Sequence, residues 1–217
     1  MFDLMKRIVF MGLLLVMSAC QPTDVCRRNA IDQLARMAER DQGIQMDHLS
    51  GESNRVRDSL YQLQDRIFRA HTDTLKRLFE QYGFVDARRF GKEASRHFWL
   101  LVQHADHDPA FQKEVLFTMG KAVARGLADP GQYAYLSDRV QVNAGEKQQY
   151  GTQLEYREDF WIVPKPTRDS ITLNQRRLAI GLPAIEAYLN QAMQRHYDMN
   201  RSVYQQRGLN GPWQYPE

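Results

Sequence analysis

Four short stretches place polar side chains where an apolar core would exclude them. Gln103-His104-Ala105-Asp106 sets an imidazole two residues from a carboxylate, directly after the most apolar segment, Phe98 to Val102. Asp138-Arg139 puts opposite charges side by side, Tyr150-Gly151-Thr152-Gln153 lies in a region of alternating polarity, and Arg176-Arg177 precedes Gly181-Leu182. A histidine beside a carboxylate can share general acid–base work. Three readings follow. In the first, Gln103, Arg139, Tyr150, Gln153 and Arg177 join His104, Asp106 and Asp138 around a polar cleft for a ligand or partner. In the second, His104 with Asp106 or Asp138 moves a proton in a hydrolysis. In the third, the set is a buried network in which Asp138 and Arg139 tie helices to an extended segment, and Gln103 and Gln153 satisfy backbone groups. The first is favoured over the second, because no nucleophile and no complete metal set is visible. The first two require the stretches to meet in space.

Other chemistries lack their patterns. His97, Leu101, His104 and Asp108 share one helical stripe, and two His with a carboxylate are possible metal ligands. Asp108, however, is better placed as an N-cap ahead of Pro109. No H-E-x-x-H spacing occurs, so no metal is expected. Ser95, Ser137 and Ser170 lie in no G-x-S-x-G turn. No glycine-rich phosphate loop is present, and no cofactor is expected. The formal net charge of +3 over 217 residues is too small to suggest nucleic acid as a partner.

The elements that must position these residues are mostly helical. Ile31, Leu34, Ala35 and Ala38 share a face of a first helix from about Asp24, with Gly43 and Ser50-Gly51 as punctuation after it. Val56, Leu60, Leu63, Ile67, Ala70, Thr74 and Leu78 give a long amphipathic helix ending at Gly83. A helix over about Ala87 to Ala105 is apolar all round at its centre, which predicts a buried Trp99. Asp108-Pro109 and Asp129-Pro130 each start a helix, closed by Gly126 and Gly145. The period then changes. Tyr150, Thr152, Leu154 and Tyr156 alternate, and Phe160 to Val163 is a short apolar run, so a hairpin is predicted near residues 149–163. Helices around Ser170 to Ile180 and Leu182 to Tyr197 follow, and the Gly/Pro-rich stretch 208–217 reads as a loose tail. The fold class is mainly α: a compact multi-helix domain over 24–207 with one small β-hairpin.

The N-terminus carries a separate signal. Lys6 and Arg7 precede an apolar run, Ile8 to Met17, followed by Ser18-Ala19-Cys20. That order of charge, apolar run and small residues reads as a secretory signal. The run is about ten residues, too short to span a bilayer. Cys20 after the small pair resembles the lipidation site of a bacterial lipoprotein. Residues 1–19 are then a cleaved leader, Cys20 carries lipid, and 20–23 is a short tether. Losing Lys6, Arg7 and Asp3 takes the net charge to +2. The expected location is the cell envelope, with the membrane as partner through Cys20. Gln21 rather than Asp after the cysteine favours the outer membrane, facing the periplasm, in a host with two membranes. The remaining partner is an envelope ligand or protein. Cys26 is left as a bystander thiol near the tether.

Several blocks together resemble a bacterial family known as domain of unknown function 6624. They are Gly91 to Ala94 with Trp99 to Asp106 and Phe111-Gln112, then Tyr133 to Val140, then Gln149 to Gln153, then Asn174 with Arg176-Arg177 and Gly181-Leu182. Met37 to Gln45, around Asp41-Gln42, is similar to the family's opening block, with Gln45 where an Arg is expected and extra sequence to Asp58. The resemblance supports a helical domain and the choice of site residues. It implies no activity.

Overall fold

The computed structural model describes residues 24–50 and 54–216, with side chains over 24–45 and 58–216. Cys20 and the stretches read from sequence as leader and tether lie outside the described residues. The described chain is mainly α, with one small two-stranded sheet. The order is α1 (Asp24–Ser50), α2 (Asn54–Tyr82), α3 (Ala87–Phe90), α4 (Lys92–Gln103), α5 (Pro109–Val123), α6 (Pro130–Asn143), β1 (Leu154–Tyr156), β2 (Ile162–Pro164), α7 (Leu173–Ala179), α8 (Ile185–Met199) and α9 (Arg201–Gln206). The strands pair antiparallel, Glu155 opposite Val163.

Both Asp-Pro signals act as their chemistry requires. The Asp108 side chain accepts from the backbone N–H of Phe111, and that of Asp129 accepts from Gln132. The prolines occupy positions with no amide to lose. Elsewhere packing overrides local signals. α1 runs through Gly43 without a break, because Leu34, Met37, Ala38 and Ile44 keep one buried stripe. Such a stripe outweighs the roughly 1 kcal/mol that a helical glycine costs. The helix expected over Ala87 to Ala105 is two helices. Asp86 caps α3 by accepting from Arg88 and Arg89, and Gly91, at φ 85°, turns the chain into α4. Trp99 is only half-buried. It sits at the seam with α6, its Nε1 donating to the Gln132 carbonyl at 2.8 Å.

The core forms in two parts. Leu34, Leu75, Phe98, Val102, Val115 and Leu136 belong to the larger one, between α1, α2, α4, α5 and α6. Ile162, Leu173, Tyr188, Leu189 and Met193 form the smaller one around β2, α7 and α8. Tyr135 spans the two, edge-on to Trp99 on one side and to Tyr188 on the other. The C-terminal segment is docked, not loose. Asn190 and Tyr215 exchange two hydrogen bonds, Tyr215 Oη donates to the Ile162 carbonyl, and Trp213 stacks on Trp161. α9, which the sequence pattern does not announce, is held by Tyr204, fully buried and bonded to His196 Nδ1 at 2.8 Å.

Candidate functional site

The expected residues fall into three arrangements, not one cluster. Asp138 has no exposed surface. Its Oδ1 accepts from the backbone N–H of Gln149 (2.8 Å) and Tyr150 (3.0 Å), and its Oδ2 from Thr152 N (2.9 Å) and Thr152 Oγ1 (3.0 Å). Every lone pair is turned to the loop 149–152. Arg177, equally buried, holds the same loop from the other side. Its Nη1 donates to the Tyr150 carbonyl at 2.6 Å, its Nε to the Pro183 carbonyl at 2.7 Å, and its guanidinium lies over the Tyr188 ring. Burial pushes that guanidinium below its ordinary pKa, and the nearby Tyr135, Tyr188 and Asp138 pull it back. Gly151 makes the turn at φ 69°, and a Cβ there would come 3.2 Å from Ile185 Cδ1. Asp138 and Arg177 are thus clamps that join α6 and α7 to the loop. A carboxylate so fully engaged has no lone pair to offer a substrate.

The second arrangement centres on Asp106. Its Oδ1 accepts from Arg139 Nε (2.8 Å), Asn143 Nδ2 (2.7 Å) and Gln112 Nε2 (3.1 Å), and its Oδ2 from Arg139 Nη2 (2.6 Å). Burial would raise the Asp106 carboxyl, but Arg139, Gln112 and Asn143 hold it below its usual value. Arg139 Nη1 continues to Gln153 Oε1 at 3.5 Å, and the Gln153 backbone is fixed by the buried Gln148 side chain. Gln103 is buried, with its side-chain amide against Trp99 Nε1 and the Leu136 N–H, two donors that its oxygen accepts from when the amide is turned toward them. The phenol of Tyr150 is half-buried beside Gln149 Nε2, and burial raises its pKa.

The third arrangement is one that the sequence reading left incomplete. His104 caps the C-terminus of α4. Its partner is neither Asp106 nor Asp138 but Asp41 on α1, whose Oδ2 lies 2.7 Å from His104 Nδ1. Asp41 has no exposed surface. Its Oδ1 accepts from Gln42 Nε2 (3.0 Å) and Gln45 Nε2 (3.3 Å). The imidazole stacks on Phe68 of α2, ring centres 4.9 Å apart and 12° from parallel. Among the described residues, the remaining ring nitrogen, Nε2, meets the Gln45 amide, at 3.4 Å, and 16% of the side chain is exposed. A carboxylate on Nδ1 fixes the tautomer with the proton there and leaves Nε2 as an acceptor. This is the orientation of a general base.

His71 adjoins the pair. Burial pushes its imidazole down, Asp41 pulls it up, and Arg40 and His104 push it down again. Its Nδ1 is buried without a partner among the described residues. The stripe His97, Leu101, His104, Asp108 does not assemble. Asp108 is the N-cap of α5 and pairs with Lys76. Among the described residues, no three His, Cys, Asp or Glu side chains are grouped to hold a metal ion.

Asp41 had a legible signal. It stands seven residues after Leu34 and three before Ile44, on the apolar stripe of α1. A carboxylate at a core position needs a buried partner.

No curated protein and no solved structure matches this chain. The profile of a family described as Family of unknown function (DUF6624) matches residues 29–200, most of the chain and all three arrangements. The chain therefore belongs to the DUF6624 family.

Proposed function

We propose that this is a lipoprotein of the bacterial cell envelope, anchored through Cys20, whose helical domain uses Asp41–His104 as an acid–base pair in a hydrolysis. The anchor reading rests on the order of Lys6-Arg7, the apolar run and Ser18-Ala19-Cys20. Among the described residues, no helix is long and apolar enough to cross a membrane. With Gln21 after the cysteine, the outer membrane is the proposed address in a host with two membranes.

The observation that carries the chemical reading is the 2.7 Å contact between a sealed carboxylate and the inner nitrogen of a partly exposed imidazole. In the proposed step, His104 Nε2 takes a proton from water as the water oxygen adds to an acyl or phosphoryl centre. The imidazolium, held by Asp41, then returns the proton to the leaving group. Diethyl pyrocarbonate, which acylates accessible neutral imidazoles, tests the pair. His104 should react faster than His71, and Asp41→Asn should slow it. Hydrolysis of a panel of chromogenic esters and phosphoesters should be lost in His104→Ala.

One observation favours binding instead. Among the described residues, the side chains hydrogen-bonded to or stacked on His104 are Asp41, Gln45 and Phe68, none of them a hydroxyl or thiol nucleophile. In that reading His104 and Gln45 hold a polar ligand. His104→Gln keeps a hydrogen-bonding group, so it should retain binding, whereas acid–base activity would disappear.

A further inference from the structure

A second place on α4 has the makings of a ligand site, at the opposite end from His104. α4 is twelve residues long, which separates its ends by roughly 17 Å. A cleft of about 490 Å³ opens between its first turns and the connection from α5 to α6. That is the size of an ordinary small-molecule pocket. Leu127, Ala128 and Pro130 give it an apolar wall. Lys92 and Arg96, one turn apart on α4, stand on the facing side, and neither makes an ion pair among the described residues. Ser95 lies between them, 4% exposed, and its hydroxyl has no hydrogen-bond partner among the described residues.

The electrostatics favour an anion. Gly91 supplies no side chain to cap the first amides of α4, and the Glu93 carboxylate in that first turn offsets part of the helix's positive end. Asp129 is also on the cleft and opposes an anion, but one of its oxygens is engaged by the Gln132 N–H. Of the side chains that line the cleft, Lys92 and Arg96 are cationic and Asp129 is the carboxylate, so the lining itself carries net positive charge. We propose that this cleft binds a small amphipathic anion, a carboxylate on a short apolar body. The head would meet Lys92, Arg96 and the Ser95 hydroxyl, and the body would cover Leu127 and Pro130.

Calorimetric titration of the full chain with octanoate tests this, with octyl glucoside as the same body uncharged and acetate as the charge without the body. Octanoate should saturate, while the other two should not at the same concentrations. The double variant Lys92→Glu, Arg96→Glu alters two exposed side chains, and an unchanged circular dichroism melt will show that it folds. It should weaken octanoate by about tenfold or more, the effect of roughly 1.4 kcal/mol. Failure of octanoate to saturate at millimolar levels would overturn the proposal. So would equal binding of octyl glucoside, or undiminished binding by a folded double variant.

Discussion

Asp41 and His104 are 63 residues apart in the chain, yet the carboxylate of one lies 2.7 Å from the inner ring nitrogen of the other. The contact joins α1 to the end of α4 and stacks the imidazole on α2. Three helices fix one ring. Its remaining nitrogen is the acceptor least committed to the fold among the expected site residues.

Asp138 is expected to matter for stability, not for chemistry. Asp138→Ala strands the amides of Gln149, Tyr150 and Thr152 in a buried loop. Losing a buried charged acceptor of this kind costs on the order of 3–5 kcal/mol. Urea unfolding should show a lower midpoint and a loss of unfolding free energy of that size. An unchanged midpoint would show that the loop does not depend on the carboxylate.

Stability should fall as pH drops below neutral, and His71 contributes to this. Burial lowers its pKa in the folded state, so the unfolded chain takes up the proton first. The contribution is complete above the unfolded value of about 6.5 and is lost as pH falls from there through the folded value. His196, also lowered by burial, acts with the same sign. His71→Leu should therefore flatten, without abolishing, the decline in melting temperature between pH 7 and pH 5. A slope identical to the wild type would contradict the assignment.

The docked C-terminus predicts a cost for truncation. Ending the chain after Gly208 removes the Trp161–Trp213 stack and the reciprocal bonds of Asn190 with Tyr215. Together these are worth about 2 kcal/mol. The truncated protein should melt several degrees lower and show more exposed Trp161 fluorescence. A loose tail would leave both unchanged.

Much of this fold is legible in the sequence because its signals are local. Asp-Pro at 108–109 and 129–130, glycines at 83, 126 and 145, and the change of period after Gln149 each depend on near neighbours. What escapes is set by distant packing. Gly43 stays helical because the stripe around it is buried, and the 208–217 segment is ordered by Trp161 and Asn190. The site follows the same rule. Asp106–Arg139 and Asp138 with the 149–152 loop join stretches singled out from sequence, and both satisfy the fold. The Asp41–His104 pair joins a singled-out residue to one known only as part of an opening block.

Lipidation at Cys20 is tested by metabolic labelling with a fatty acid. The wild type should carry label and Cys20→Ala should not. Label surviving the substitution would place the anchor elsewhere.

The central claim is that Asp41 holds His104 with its proton on Nδ1 and its Nε2 free to accept. Long-range ¹H–¹⁵N correlation spectra of the imidazoles at neutral pH read this directly. His104 should show the Nδ1–H tautomer in the wild type, and Asp41→Asn should shift it toward Nε2–H in a protein that still folds. An Nε2–H tautomer in the wild type, or a His104 pattern indifferent to Asp41→Asn, would contradict the account.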